Sequence, residues 1–208
     1  MRFNHLYILI FLLFLISNST KAQNSIQLIP ESSSIRVFGT SNIHDWEMHV
    51  EFQSNISDYE IPNNSLKNLK NTQFKIEGIR LRSKESAMEK KAHKALKLPE
   101  FPFISFLLKK ITIRNHKATN FNAFAIGTLL ISGQSQDVKL PINGNFLGKK
   151  KLNLTGCIDL KMSDFNIEAP SAFFGAISTN DDIKILYSLD FTSKQKLTQD
   201  MLSSNLNP

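Results

Sequence analysis

The chain has 208 residues, 41% hydrophobic and 21% charged, with 8 glycines, 7 prolines and a single cysteine. It is long enough to bury a substantial core in one domain or at most two, and too apolar to be a disordered chain. One cysteine excludes a disulfide framework and any CxxC-type zinc or redox site, and a formal charge of +7 is only modestly basic.

At the amino terminus, Arg2 and His5 precede an unbroken apolar run from Leu6 to Ile16, followed by Ser17-Asn18-Ser19 and Thr20-Lys21-Ala22. A basic start, a short apolar stretch and a small residue at the end describe a secretory signal peptide over residues 1–22, cut after Ala22. The run falls short of the roughly 20 residues that span a bilayer as a helix, so an uncleaved anchor is the lesser alternative. The expected location is therefore the periplasm, or outside the cell. The sole cysteine, Cys157, lies far from the cut, which argues against a lipid-modified amino terminus. Losing Arg2 and Lys21 with the leader lowers the charge from +7 to +5. No basic run interleaved with aromatics suggests a nucleic-acid partner.

Period-two alternation dominates the rest of the chain. It runs through Ile35-Val37, then Trp46-Met48-Val50-Phe52, then a segment from Phe74 to Leu81. It resumes in Ile104-Phe106-Leu108, Phe124-Ile126, and Val138-Leu140-Ile142 ending near Phe146. The last two stretches are Leu152-Leu154-Ile158-Leu160-Met162 and Ile183-Ile185-Tyr187-Leu189-Phe191. These predict eight strands, several of them long, and hence an all-β, antiparallel, lipocalin-like barrel with an apolar lumen in one domain over residues 23–192. The apolar phase changes parity at Gly78 and again at Lys109-Lys110. A β-bulge at each point would restore the inner face and bend the strand; continuous strands half-covered on both faces are the alternative.

One helix is expected between Ser86 and about Leu98, opened by a Ser86/Glu89 capping box and stopped by Pro99. Met88, Ala92, Ala95 and Leu96 fall on one face. Lys90, Lys91, Lys94 and Lys97 lie mostly elsewhere and read as a solvated face, with attraction to lipid headgroups the lesser reading. Segments 54–70 and 163–182 are long connections. The second holds Ala169-Pro170-Ser171-Ala172-Phe173-Phe174-Gly175, apolar enough either to fold over a cavity or to plug a barrel end. The tail over residues 193–208 is polar and expected to fray.

Signs of catalysis are sparse. His44, His49, His93 and His116 form no HExxH-like pair, and His44-Asp45 is an isolated dipeptide in a loop. There is no GxSxG and no phosphate-cradling glycine loop. Cys157 has the parity opposite to Leu154, Ile158 and Leu160, so it leaves the core face as an ordinary thiol. Asp159 and Asp164 read as polar-face residues of a strand and its end. No catalytic residue, metal ligand or cofactor is therefore expected. Strand parity and the apolar loop instead nominate lumen residues that would line a cavity for a hydrocarbon: Phe38, Trp46, Met48, Phe74, Ile76, Phe106, Phe124, Phe146, Leu160, Phe165, Phe173, Phe174 and Tyr187. His44 and Lys94 are candidates for a polar rim that holds a headgroup. The plain alternative is that these side chains fill the barrel themselves.

Several stretches together resemble the YceI-like family. They are Met88 to Lys97 followed by Phe101-Pro102-Phe103-Ile104-Ser105-Phe106, and the hairpin Gly127-Thr128-Leu129-Leu130-Ile131-Ser132-Gly133. To these add Leu160-Lys161-Met162-Ser163-Asp164-Phe165-Asn166-Ile167 with Pro170 and Phe174-Gly175, and the closing strand from Asp182-Ile183. Phe38-Gly39-Thr40-Ser41 with His44-Asp45-Trp46 completes the set, in order and spacing, across residues 34–192. Ala169 and Asn166 depart from the family's frequent proline and glycine. The resemblance implies an exported lipocalin-like barrel that binds an isoprenoid quinone, a polyprenyl phosphate or a similar lipid in its lumen, without catalysis, as carrier or sequestering protein. Transient contact with a membrane surface would accompany that role. Two other classes stay open: a small outer-membrane β-barrel, and an isomerase-like barrel enzyme acting on a lipid.

Overall fold

The alternating segments fold as strands in the computed structural model, which describes residues 25–52, 60–62, 72–148 and 150–193. In chain order these are β1 (Ser25–Leu28), β2 (Ser34–Ser41), β3 (Asp45–Val50), β4 (Glu60–Pro62), β5 (Thr72–Glu77) and β6 (Leu81–Arg82). The helix α1 (Ser86–Ala95) comes next, then β7 (Phe103–His116), β8 (Asn120–Ile131), β9 (Gln134–Leu147), β10 (Lys151–Lys161), β11 (Ser171–Ala172) and β12 (Ile177–Ser193). The expected leader, most of segment 54–70 and the polar tail after Ser193 lie outside the described residues.

Hydrogen bonding runs antiparallel along the order β5-β7-β8-β9-β10-β12-β2-β3-β6, nine strands where eight were expected. The extra strand comes from the parity change at Gly78. It is a 3-10 turn over Gly78–Arg80, not a bulge, and it divides one expected strand into β5 and β6. Because those two strands end the path and are joined by that turn, the barrel closes through the chain itself. The second parity change is a bulge as expected: pairing of β7 with β8 slips between Leu108↔Gly127 and Lys110↔Ile126.

A second opening is filled by side chains. β9 and β10 pair only from Leu147↔Lys151 to Asn143↔Thr155, and beyond that point they share no ladder. The segment after β10 folds back beside β9, where Gln136 Nε2 donates to the Asp164 carbonyl at 2.7 Å. This turn buries Phe165, only 1% exposed, in the interior. Lower in the wall the Tyr187 hydroxyl donates to the Pro141 carbonyl, an acceptor that strand pairing with β10 leaves free. Burial pushes the Tyr187 phenol pKa well above its ordinary value.

The interior separates into two clusters. One gathers Leu28, Leu108, Phe121, Ala123, Ala125, Leu152 and Phe191, with Phe74, Phe106 and Phe146 packed on it. Its aromatic rings meet in pairs, Phe74 with Phe106 at 6.5 Å and Phe121 with Phe146 at 5.8 Å between centroids. The other holds Met48, Leu81, Leu96, Ile131, Met162, Phe165 and Ile167, beneath Met88, Ala92 and Ala95 of α1.

Two lumen assignments are corrected. On β8 the buried residues are Phe121, Ala123, Ala125, Gly127 and Ile131, which puts Phe124 on the outer face. There Lys139 Nζ and the Arg114 guanidinium sit over its ring at 4.0 and 5.5 Å. Small residues face inward because the Phe106 ring already occupies that space: a Cβ on Gly127 would collide with it and with the Leu107 carbonyl. Phe38 is also outside, under the Arg36 guanidinium at 5.1 Å and opposite Glu47 and Lys184. Elsewhere the outer wall carries ion pairs, among them Lys109–Asp137 and Lys161–Asp182, both at 2.7 Å, and Arg36–Glu47 at 3.5 Å.

Candidate functional site

The helix is what makes a chamber. α1 caps one end of the barrel with its Met88, Ala92 and Ala95 face turned inward, and it is stapled to β6 on its flank. His93 Nε2 meets the Leu81 carbonyl at 2.8 Å, and Arg82 Nη1 pairs with Glu89 at 3.0 Å. The expected Ser86/Glu89 box does not form. Glu89 instead accepts the Ser83 N–H at 3.2 Å, and the Ser83 hydroxyl accepts the Glu85 N–H at 3.1 Å, which ties the approach to the helix. Lys97, in the left-handed region at φ 51°, turns the chain out of the helix before Pro99.

Beneath α1 lies a cavity of about 290 Å³. Its walls are Val37, Trp46, Met48, Leu81, Ile104, Ile131, Met162, Phe165, Ile167, Ile183 and Ile185, with the inner face of α1 as the roof. Polar groups gather at its mouth: Ser41, His44, Glu85, Lys91, Ser171 and Thr179. The tight β2–β3 turn that presents His44 is held by the Ser41 hydroxyl, which donates to the His44 carbonyl at 2.7 Å. The Trp46 ring lies across Gly39, where any Cβ would collide with it, and its Nε1 donates to the Thr40 carbonyl at 3.2 Å. On the opposite wall, Asp181 accepts the N–H and hydroxyl of Ser163 at 2.7 and 2.5 Å, which fixes the turn that inserts Phe165. Those bonds hold the Asp181 carboxyl below its usual pKa. No trio of His, Cys, Asp or Glu close enough to hold a metal occurs among the described residues. The geometry serves to enclose an apolar group and to solvate its end.

The YceI-like domain matches residues 26–191, nearly all of the barrel just described. The chain belongs to the YceI-like family. No curated protein matches it. Among solved structures, it is similar to a polyisoprenoid-binding domain from Saccharophagus degradans implicated in plant cell wall breakdown. That similarity has 10% identity and a TM-score of 0.61 over 82% of this chain and 99% of that one. It is also similar to Burkholderia cenocepacia BcnA, with 14% identity and a TM-score of 0.56 over 79% and 99% of the two chains. A Campylobacter jejuni YceI protein shows 18% identity and a TM-score of 0.51 over 76% and 85%. At these identities the likeness is one of fold.

Within this YceI-like barrel the nominated residues divide into four groups. Trp46, Met48 and Phe165 line the chamber, and Leu160 packs against the cluster around it. Phe74, Phe106 and Phe146 face inward but pack on the other cluster, around Phe121. Ile76 is half-buried opposite Ile104, and Tyr187 lies between the two halves, on the face of β12 that carries Ile185 and Leu189. Phe38 and Phe124 are outside. Phe174 is corrected as well: at φ 56° its ring stands fully in solvent and does not fold over the cavity. The side chain of Phe173 lies outside what the structure describes. Of the rim candidates, His44 is at the mouth. Lys94 instead lines an open groove of about 700 Å³ on the far flank of α1, with Ile79, Lys97, Leu98 and Phe103. That groove is larger than the chamber and more open to solvent.

The nominated residues left out several that line the chamber, among them Ile43, Glu85, Ile131, Met162 and Ile183, and of the helix lysines they named Lys94 rather than Lys91. For Lys91 a signal existed: it stands three residues after Met88 and one before Ala92, which places it at the border of the apolar stripe.

Proposed function

We propose that this YceI-like protein is an exported, non-catalytic binding protein for a long isoprenoid lipid, a quinone or polyprenyl phosphate, acting as carrier or sequestering protein. The observation that carries the reading is the roofed apolar chamber with a polar mouth. Its volume lies at the lower limit of the roughly 300–1,000 Å³ typical of small-molecule sites. It therefore takes the leading part of a chain, and the rest passes out between the β2–β3 turn and Lys91. Burial at ~25 cal/mol per Å² of apolar surface supplies the affinity without a dedicated polar pocket. The Saccharophagus degradans structure, named as polyisoprenoid-binding, supports the ligand class. The ion-paired outer wall speaks against a barrel immersed in lipid, where the outward band is apolar.

Organic extraction of the purified protein followed by mass spectrometry tests the reading. A long-chain isoprenoid at near-stoichiometric yield is expected. A protein that carries none, and takes up none when mixed with isoprenoid quinone, would contradict it.

A further inference from the structure

The outer face of α1 differs from the charged surface of the barrel wall. Lys90, Lys91, Lys94 and Lys97 are all exposed and form no ion pair among the described residues. On the barrel wall Lys109, Lys161 and Lys184 each meet an aspartate within 3.6 Å, while Lys110, Lys139 and Lys151 lie apart on separate strands, so what sets the α1 end apart is that its cations are clustered. At 100° per residue Lys90, Lys91 and Lys94 occupy one contiguous arc of α1 that contains no acid, and Lys97 follows just past the helix end. Exposed apolar residues border that arc on both sides. At the chamber mouth Lys91 shares its surroundings with Ile43, which is 57% exposed. On the other flank Lys94 and Lys97 share the open groove with Ile79 and Phe103, 53% and 41% exposed. Lys75 adds another cation there, its Nζ 4.2 Å from the Phe103 ring centroid. The acids nearby are Glu85 at the mouth and Glu77 and Glu100 in the groove, and Glu77 is bound by Arg80 at 3.2 Å.

We infer that this end of the barrel is a docking face for a bilayer rich in anionic lipid. The lysines meet headgroup phosphates while Ile43, Ile79 and Phe103 enter the interfacial layer. Unpaired cations beside exposed aromatic and branched side chains match such a surface: each lysine near an anionic leaflet adds attraction, and apolar side chains at headgroup depth add burial. The same helix roofs the chamber on its inner face. Docking would therefore bring the chamber mouth against the membrane, so that a lipid passes between the two without crossing water. This last step rests on the proposed lipid-carrier reading; the docking itself does not.

The test is vesicle co-sedimentation of the protein as isolated from cells. One set of vesicles is phosphatidylcholine alone and the other an equal mixture of phosphatidylcholine and phosphatidylglycerol. Binding is expected only to the anionic vesicles, weakening as salt screens the lysines. A Lys90→Gln/Lys91→Gln/Lys94→Gln/Lys97→Gln variant should bind at least about tenfold more weakly, and Ile79→Ser/Phe103→Ser should weaken binding too. All these positions are exposed, and an unchanged melting temperature would show that the fold survives. Equal binding to both vesicle types, or lysine variants that bind like the parent, would overturn the proposal. Lipid extracted from the same preparations separates the two ideas. Lipid-loaded protein that ignores anionic vesicles sinks docking alone, and lysine-dependent binding by a lipid-free protein sinks the carrier reading alone.

Discussion

One barrel wall encloses two interiors of different kinds. Around Phe121, Phe146, Phe106 and Phe74 aromatic rings crowd the lumen, and Gly127 and Gly144 on neighbouring strands, with Ala123 and Ala125 beside Phe121 on β8, leave room for them. Under α1 the lining residues are Met48, Ile131, Met162 and Ile183, with Trp46 and Phe165 at the sides, and a cavity of about 290 Å³ remains between them. The difference lies in who supplies the last layer. In the aromatic half rings on neighbouring strands pack side by side, Phe74 with Phe106 and Phe121 with Phe146; in the hollow half a helix roofs the space with Ala92 and Ala95, too short to fill it.

The contrast can be broken most forcefully from the aromatic side. Phe121→Ala should cost ~3–5 kcal/mol in chemical denaturation, the usual range for deleting a buried ring, because Phe146 and Gly144 cannot close the gap. A loss under ~1 kcal/mol would show that this half is not tightly packed. A finer comparison sets two glycines against each other. Gly127→Ala pushes a Cβ against the Leu107 carbonyl, which is backbone and cannot yield, so a cost of ~1–3 kcal/mol is expected. Gly39→Ala meets only the Trp46 ring, which can swing into the chamber, so it should be clearly milder by the same measurement. Equal costs would mean that the chamber gives no room.

Tyr187, at the junction of the halves, gives a smaller effect with a pH signature. Tyr187→Phe loses its hydrogen bond to Pro141, worth ~1 kcal/mol at neutral pH. Burial raises the phenol's pKa above the ordinary 10.0, so the folded state keeps a proton that the unfolded chain releases. The resulting stability is fully present below pH 10 and is lost as pH rises beyond it. Denaturation midpoints followed through alkaline pH should therefore fall less steeply for the variant than for the parent; parallel curves would contradict the assignment. The smallest stability change is expected for Ala92→Phe, where the new ring has the chamber to enter: a shift under ~1 kcal/mol.

Much of this was legible in the sequence. The long alternating runs, the helix with its apolar face and the bulge at Lys109-Lys110 all have local causes. Lumen parity was legible only where large residues occupy one face. On β8 both faces carry apolar residues, and choosing Phe124 over Ala123 and Ala125 followed size, whereas the fold selects the small residues because Phe106 and Phe121 need the space. Phe38 misled in the same way, since a cation stacked on an outward ring leaves no trace in an alternation pattern. The division of the lumen depends on which rings pack together on neighbouring strands, and that is set by strand register, which an alternation pattern does not fix. The closing of the β9–β10 gap by Phe165 likewise rests on a turn held by Asp181, 18 positions beyond its partner Ser163.

Ala92→Phe also supplies the most direct test of the central claim, that the hollow half is the binding half. Native mass spectrometry of the parent and the variant, each loaded with the same isoprenoid quinone, compares bound lipid at near-equal stability. The account predicts a lipid-bound parent and a variant retaining about a tenth as much or less, while Phe121→Ala, if folded, keeps its lipid. Equal occupancy in parent and Ala92→Phe would place the ligand elsewhere and contradict the account.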